Sequence, residues 1–341
     1  MSNKIVSRLV VLLLSSLLFA GTGLASAGAS DKTDFDFGAR LKLLGTFDDN
    51  GNAFDLDDAR ISASAKRGIF AGKIQLEYSD SDLFLKDGFA SAAFNKYATV
   101  TAGRFKMPTG QNIAQSSYDS ITWEKNTVAS DWLSPQQGNR GDGIAVAGSA
   151  VAGDGASVTY NIGVFDSGDY DAGAIYAGRG TIAFDGVPGL DIGVTVQSEE
   201  DAAGAGKDFF GVGVDARYTA TLPDVGDVVL SGGWNDYDLD GAAYFPGTGL
   251  NAGDGFYVEA ATTLTETATV ASIPIQFQPF FKYQSFDYTG FNGKQERWDA
   301  GINLILDGVF DETKLTVNFF TDDPVVCCNN DGVLLGVKTT F

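Results

Sequence analysis

The stretch DFDFGARLKLLGTF (residues 34–47) alternates apolar and polar side chains at every second position. Phe35 and Leu43 mark the two ends of the apolar set, and Arg40 and Lys42 fall in the polar set. A period of two places the two sets on opposite faces of a β-strand. Strands of soluble sandwiches show the same alternation, so the number, spacing and ending of such segments must decide the fold.

Sixteen segments of the chain predict strands by this criterion. They are 34–47, 56–67, 70–79, 83–94, 97–105, 140–151, 156–166, 174–184, 190–200, 208–220, 227–238, 254–265, 273–286, 295–306, 312–321 and 332–341. Tight connections, such as Gly68-Ile69 and Asn95-Lys96, alternate with longer polar ones, such as Asp48 to Asp55 and Leu239 to Gly253. Short turns at one end and long loops at the other are typical of bacterial outer-membrane barrels.

Strands of about ten residues suit a tilted crossing of a bilayer, and an even number lets the sheet close with both termini at one end. Closure is required in lipid, because lipid cannot satisfy the hydrogen-bonding groups of an open edge. The final segment, Leu334 to Phe341, alternates and stops on Phe. The predicted fold is therefore an all-β, transmembrane antiparallel barrel of about sixteen strands.

The beginning of the chain has the composition of a secretory signal. Lys4 and Arg8 precede an apolar run from Leu9 to Ala20, and small residues ending in Ala25-Ser26-Ala27 follow. Cleavage before Gly28 is expected, since the run is too short for a retained helix that spans a membrane. We predict a signal peptide over residues 1–27, one barrel domain over residues 28–341, and the Gram-negative outer membrane as the destination.

The composition weighs against catalysis. The chain has 43 Gly and 25 Phe but no His, which removes most zinc sites and the Ser-His-Asp triad. We therefore predict no enzyme activity, no cofactor and no metal. Cys327 and Cys328 are adjacent in the last long connection, and their sequence leaves open whether they form a vicinal disulfide or stay as two thiols.

A long gap between predicted strands, Lys106 to Asn139, follows the fifth strand. A loop of this length without a strand pattern tends to be functional. It begins within GRFKMPTG (103–110), contains ITWE (121–124) and ends at RGDG (140–143). Together with DARI (58–61) and IQLEY (74–78), these motifs make residues 56–148 similar to the phosphate-selective porin O and P family.

The resemblance implies a trimeric, water-filled porin in which the loop after strand 5 folds into the lumen and narrows it. Phosphate selectivity does not follow from it. Family members noted for phosphate carry basic ladders and lysines on this loop, whereas here Lys106 and Lys125 are mixed with Asp119, Glu124 and Asp131.

We expect the pore constriction and lumen to include ten residues: Arg40, Lys42, Arg60, Lys73, Arg104, Lys106, Trp123, Glu124, Lys125 and Arg140. Although acidic residues outnumber basic ones by 44 to 23, the polar faces of the predicted strands carry slightly more basic side chains. Such a wall passes small solutes of either sign and can favour anions.

The expected function is passive diffusion of small hydrophilic solutes and inorganic ions, with anions such as phosphate as candidates. The expected partners are outer-membrane lipid and two further copies of the chain, and the acidic surface argues against nucleic acid. A structural or adhesive barrel with a plugged, non-conducting lumen is the alternative. The sequence leaves the solute selectivity, the strand register and the oligomeric state open.

Overall fold

The computed structural model describes most of the chain after the predicted signal. The described residues are 32–79, 81–110, 115–123, 140–151, 155–166, 173–199, 208–239, 253–265, 267–288, 294–306, 308–310, 312–323 and 330–341. Among these residues, no helix is long and apolar enough to cross a membrane. Cys327, Cys328 and the predicted signal peptide lie outside the described residues.

The described residues form seventeen strands, all in one sheet. Their bounds are β1 Asp34–Asp48, β2 Gly51–Arg67, β3 Phe70–Ser79, β4 Asp82–Asn95, β5 Ala98–Lys106, β6 Arg140–Val151, β7 Ala156–Asp166, β8 Ala174–Phe184, β9 Leu190–Glu199, β10 Phe209–Leu222, β11 Gly226–Leu239, β12 Gly253–Leu264, β13 Thr267–Val270, β14 Ile273–Tyr288, β15 Lys294–Leu306, β16 Glu312–Asp323 and β17 Asn330–Thr340.

The sheet is a closed antiparallel barrel with sixteen strand positions. β12 and β13 occupy one position, because both pair with β14 and an irregularity near residue 265 separates them. Every other strand pairs with its neighbours in the chain, and β1 also pairs with β17 over nine residues. Past the end of β17, the backbones of Phe341 and Ala39 exchange two hydrogen bonds of 2.9 and 3.3 Å. The predicted fold class is confirmed.

The connections at the two ends of the barrel differ in length, as predicted, with one correction. At one end of the barrel, here called the turn end, β1 begins and β17 ends. Its connections are short, such as Gly68-Ile69 and Ala271-Ser272. The loop end carries the long ones, including residues 107–139 and 240–252. The predicted loop from Asp48 to Asp55 is wrong: β2 begins at Gly51, and Asp49 and Asn50 alone make the turn.

Local turn chemistry explains that correction. The Asp48 carboxylate accepts hydrogen bonds from the backbone N–H groups of Asn50 and Gly51, at 2.9 and 3.1 Å. Gly51 has a φ of 135°, which only glycine adopts easily. An aspartate that bonds the backbone two residues on is a typical turn former, so the polar stretch continues as a hairpin rather than a loop.

The two faces of the sheet differ in polarity. Large apolar side chains are exposed on the outer face, including Phe37 at 74%, Ile61 at 61% and Ile162 at 61%. The inner face is polar and largely buried, with Lys282 exposed by only 1% and Asn303 and Asn318 by 0%. Apolar side chains outside and polar ones inside are the arrangement of a barrel in lipid that encloses a polar lumen.

Candidate functional site: the inner wall and its loop

The strand register brings four of the predicted basic residues together on the inner face. Arg40 pairs with Arg60 across β1 and β2, and Lys42 pairs with Asp58 one step further toward the loop end. Lys73 of β3 lies opposite Ser64 of β2, which shares the face of Arg60. Residues directly opposite in a sheet point to the same side, so these side chains form one basic region near the junction of the first three strands.

Carboxylates neutralise most of this basic region. Arg60 forms ion pairs with Asp58, at 2.9 Å, and with Glu77. Lys42 pairs with Asp57 at 2.5 Å. Asp57 is an extra residue in the register, since Lys42 lies opposite Asp58 while Leu43 lies opposite Leu56. This β-bulge turns two successive acidic residues toward the basic side chains, which strict alternation does not allow.

A second group of ion pairs lies on β3, β4 and β6. Asp87 accepts from Lys73 at 3.2 Å and from Arg140 at 2.5 Å, and Glu77 also pairs with Lys86. Arg140 is the first residue of β6 and is 6% exposed, so the loop after β5 returns to the wall at a buried ion pair.

Arg104 occupies a different place from the other candidates. It pairs with Asp142 across β5 and β6, at 3.5 Å between Nη1 and Oδ2. Asp142 shares its face of β6 with the exposed Ile144, whereas buried Ala145 lies on the other face. Arg104 therefore lies on the face of the sheet that carries Ile144, and not on the face that carries the basic residues of β1–β3.

The loop after β5 is described over residues 107–110 and 115–123, and it packs against the inner face. Lys106 donates from Nζ to the carbonyl of Gln115 at 2.6 Å, which ties the start of the loop to its later part. Glu124 and Lys125 lie outside the described residues.

Tyr118 anchors the loop to β1 and β2. Its ring lies between the guanidinium groups of Arg40 and Arg60, at 5.2 and 4.9 Å from the ring centroid, and its hydroxyl bonds to Asp58. Burial, together with the adjacent carboxylate, raises the pKa of the Tyr118 hydroxyl, so it stays protonated and donates. Arg40 also donates to Ser116 Oγ at 2.9 Å.

Trp123 contacts the last strands and β1. It is 2% exposed and packs with Phe320 and Leu334. The Nζ atoms of Lys42 and Lys338 lie 4.7 and 4.9 Å from its ring, within cation–π range. Two of the predicted site residues, Lys42 and Trp123, are thus in contact.

Between Tyr118 and Trp123, the loop crosses β14 and β15. Ile121 packs against Ala261 and Phe280, and its carbonyl accepts from Asn303 Nδ2 at 2.9 Å. Lys282 approaches the Thr122 hydroxyl at 3.5 Å. Residues 115–123 therefore cover the inner face of β1, β2 and β14–β17.

The opposite wall carries its own charges. Arg179 of β8 donates two hydrogen bonds to Asp215 of β10, at 2.5 and 2.6 Å, and a third to Thr195 of the strand between them at 3.1 Å. This bidentate pair lies on the inner face, since Val194 and Val214 of the alternate positions are exposed.

Sequence reasoning missed the roles of Asp57, Tyr118 and Gly336. A bulge leaves no signal in a period-two pattern, so Asp57 was not assigned to the wall. Tyr118 lies in a segment without periodicity, where the only hint is a single aromatic residue among polar ones. Gly336 lies under Trp123, and only the loop position reveals this.

Comparisons with known proteins agree with this geometry. The model of the family described as phosphate-selective porin O and P matches residues 27–220, more than half of the chain. No curated protein matches the sequence.

Three similar solved structures show the fold. The anion-selective porin from Comamonas acidovorans has a TM-score of 0.66 at 14% identity, over 91% of this chain and 100% of that one. The in-vitro folded OmpT of Vibrio cholerae, in its trimer form, has a TM-score of 0.62 at 12% identity, over 91% and 100% of the two chains. The outer membrane channel DcaP of Acinetobacter baumannii has a TM-score of 0.58 at 12% identity, over 93% and 100%.

The matched family, a polar inner face and an apolar outer face lead to one conclusion: the chain belongs to the phosphate-selective porin O and P family and forms an outer-membrane channel.

Proposed function

We propose that this channel passes small hydrophilic solutes and inorganic ions by passive diffusion, and that the loop after β5 narrows it. The observation that carries the proposal is the packing of residues 115–123 against the polar inner face, from Tyr118 at Arg60 to Trp123 at Lys338. A segment in this position occupies part of the lumen, while Arg179 and Asp215 on the other side of the wall bond to each other.

Planar-bilayer recordings test the narrowing. Deletion of residues 112–132 should raise the single-channel conductance, because it removes the segment that covers β14–β17. Deletion of residues 242–250, in another connection of the loop end, is the matched control and should change conductance less. Equal conductance of the first deletion and the intact protein contradicts the proposal, and no conductance in either protein favours a plugged, structural barrel.

We propose a slight preference for anions, with phosphate as one permeating anion. Among the described inner-face residues, Arg40, Lys66, Arg217, Lys314 and Lys338 have no carboxylate at ion-pair distance. Six acidic residues of the same face likewise have no basic side chain at that distance within the described ranges: Asp34, Asp36, Asp191, Asp227, Glu259 and Glu312. Unpaired groups of the two signs are therefore nearly balanced, which supports a weak preference rather than a selective phosphate pathway. The similarity to the anion-selective porin from Comamonas acidovorans supports anions as the preferred sign.

Reversal potentials in a salt gradient test this preference. A small potential of the sign for chloride over potassium is expected, and a strongly cation-selective pore contradicts it. Addition of phosphate during a chloride recording tests for phosphate selectivity. In a phosphate-selective pore, phosphate should block the chloride current in a saturable way, and in a weakly selective pore it should not.

We further propose a homotrimer in outer-membrane lipid, exported by the signal over residues 1–27. The sixteen strand positions and the trimer form of a similar structure support the assembly. A heat-modifiable oligomer on a detergent gel is expected, and a monomer before heating contradicts it. Mass spectrometry of the mature protein should find Gly28 as the first residue. The family places the chain among channels rather than enzymes.

A further inference from the structure

We infer that Gly336 and Lys338 of β17 are positioning residues that hold residues 115–123 on the inner wall and thereby set the width of the pore. The inference rests on the proposed narrowing by this loop. Two residues of the final strand thus hold a loop that lies in the first half of the chain.

Lys338 contacts the backbone at both ends of the held segment. Its Nζ donates to the carbonyl oxygens of Ser117 at 3.0 Å, Thr122 at 3.2 Å and Trp123 at 3.4 Å. An ammonium group has three donors, so three carbonyls use all of them. Because the accepting residues lie five and six positions apart, one side chain closes the segment into a turn on the wall.

The surroundings of Lys338 leave the carbonyl oxygens as its main partners. It is 3% exposed, so water does not replace them. Within the described part of the chain, no carboxylate lies at ion-pair distance from its Nζ. Its cross-strand neighbours Lys42 and Lys314 are also basic. A buried ammonium with basic neighbours depends strongly on the dipoles that it contacts, which makes the loop carbonyls and the Trp123 ring its stabilising groups.

Gly336 provides the surface on which Trp123 lies. A Cβ atom at position 336 would overlap the six-membered ring of Trp123. Phe320 and Leu334 enclose the same ring from β16 and β17. The indole therefore lies directly on the backbone of β17, and any larger residue at 336 must displace it or move the strand.

The other contacts of the segment hold it less completely. Arg60 is already engaged with Asp58 and Glu77, and Lys42 with Asp57. Asn303 bonds a single carbonyl, that of Ile121. Lys338 alone among these side chains bonds the segment before and after Ile121, and Gly336 leaves the space that the Trp123 ring occupies.

Single-channel conductance of Lys338→Met and Gly336→Ala tests the inference. Both variants should conduct more than the parent, approaching the channel that lacks residues 112–132, or should fluctuate between the two levels. Lys338→Arg keeps the charge and donors and should restore most of the parent level. Lys96→Met, in the short turn between β4 and β5, and Gly178→Ala, whose added Cβ meets no atom nearer than 3.7 Å, are matched controls and should leave conductance unchanged.

Fluorescence of Trp123 gives a second readout that a change in stability alone does not move. In a background with Trp132, Trp234 and Trp298 replaced by Phe, Lys338→Met and Gly336→Ala should shift emission to longer wavelength and increase acrylamide quenching. A heat-modifiable band before boiling shows that each variant is folded. Two variants are used so that the failure of one to fold still leaves a test.

The outcomes separate this inference from the proposed narrowing. Exposed Trp123 together with raised conductance supports both. Unchanged emission and conductance in the two folded variants overturn the inference, while deletion of residues 112–132 still tests the narrowing by itself. Exposed Trp123 with unchanged conductance overturns the role of Gly336 and Lys338 in pore width and the narrowing with it.

Discussion

The inner wall has two halves that use their charges differently. On the half formed by β1, β2 and β14–β17, side chains such as Arg60 and Lys338 contact the loop and are buried. On the half formed by β7–β12, Arg179 and Asp215 bond to each other across one intervening strand, and Arg217 stays half-buried without a loop contact in the described residues.

The difference shows that a lumenal charge has two separate uses. Where protein covers the wall, the charges hold that protein, and the penalty for removing one is a matter of stability. On β8 and β10, Arg179 and Asp215 bond to each other and not to the described part of the loop, and we expect a change of their charge to alter selectivity. The predictions below test this division, beginning with the largest expected effect.

Arg60→Met should destabilise the barrel most. It leaves Asp58 and Glu77 without the guanidinium that both contact, and loss of one partner of a buried pair costs about 3–5 kcal/mol. The temperature at which the folded band is lost on a detergent gel measures the effect. Arg217→Met on the other half is the control, and an equal loss in both variants contradicts the division.

Asn303→Ala should have an intermediate effect on stability. The Asn303 amide donates to the Ile121 carbonyl and to Gln278 Oε1, both at 2.9 Å, and it is fully buried. Loss of buried hydrogen bonds costs about 1–3 kcal/mol. Urea unfolding followed by fluorescence checks the value against Asn235→Ala, an inner-face change on β11, which should cost less.

Asp215→Asn should change selectivity more than the other variants. The amide oxygen can still accept from one guanidinium nitrogen of Arg179, whereas the amide nitrogen cannot accept from the other. The guanidinium charge is no longer balanced, so the pore should become more anion-selective. The reversal potential in a salt gradient measures the shift, and Asp215→Glu, which keeps the charge, is the control. An unchanged reversal potential would show that this wall does not face the permeating ions, and a shift toward cations would contradict the expected sign.

Much of the fold could be predicted from side-chain alternation alone. The period-two pattern of Phe35 to Leu43 predicts β1, and the same pattern across the chain predicts the sixteen strand positions. A period-two pattern gives no signal for backbone irregularities, so it does not predict the bulge at Asp57 or the short strand β13. The Asp48–Asp55 connection was predicted as a loop because its residues are polar, whereas the Asp48 carboxylate and Gly51 make a hairpin.

The site was predictable only where it coincides with a strand. Arg40, Lys42, Arg60 and Lys73 lie on the inner face because their positions in the pattern require it. Their ion-pair partners depend on cross-strand register, which a single sequence does not determine. The positions of Tyr118 and Trp123 depend on the path of the loop, which has no periodic pattern. The face on which Arg104 lies could not be read from the residues next to it in the sequence.

The contacts of Lys338 also bear on the order of folding. They join residues 215 to 221 positions apart in the chain, and contacts of such separation form late because a large loop must close first. The surface that Trp123 packs on, formed by Gly336, Leu334 and Phe320, exists only when β17 has paired with β16 and β1. A chain that has not yet closed its barrel therefore lacks the surface that narrows the pore, and a narrowed pore reports that insertion of the last strand is complete.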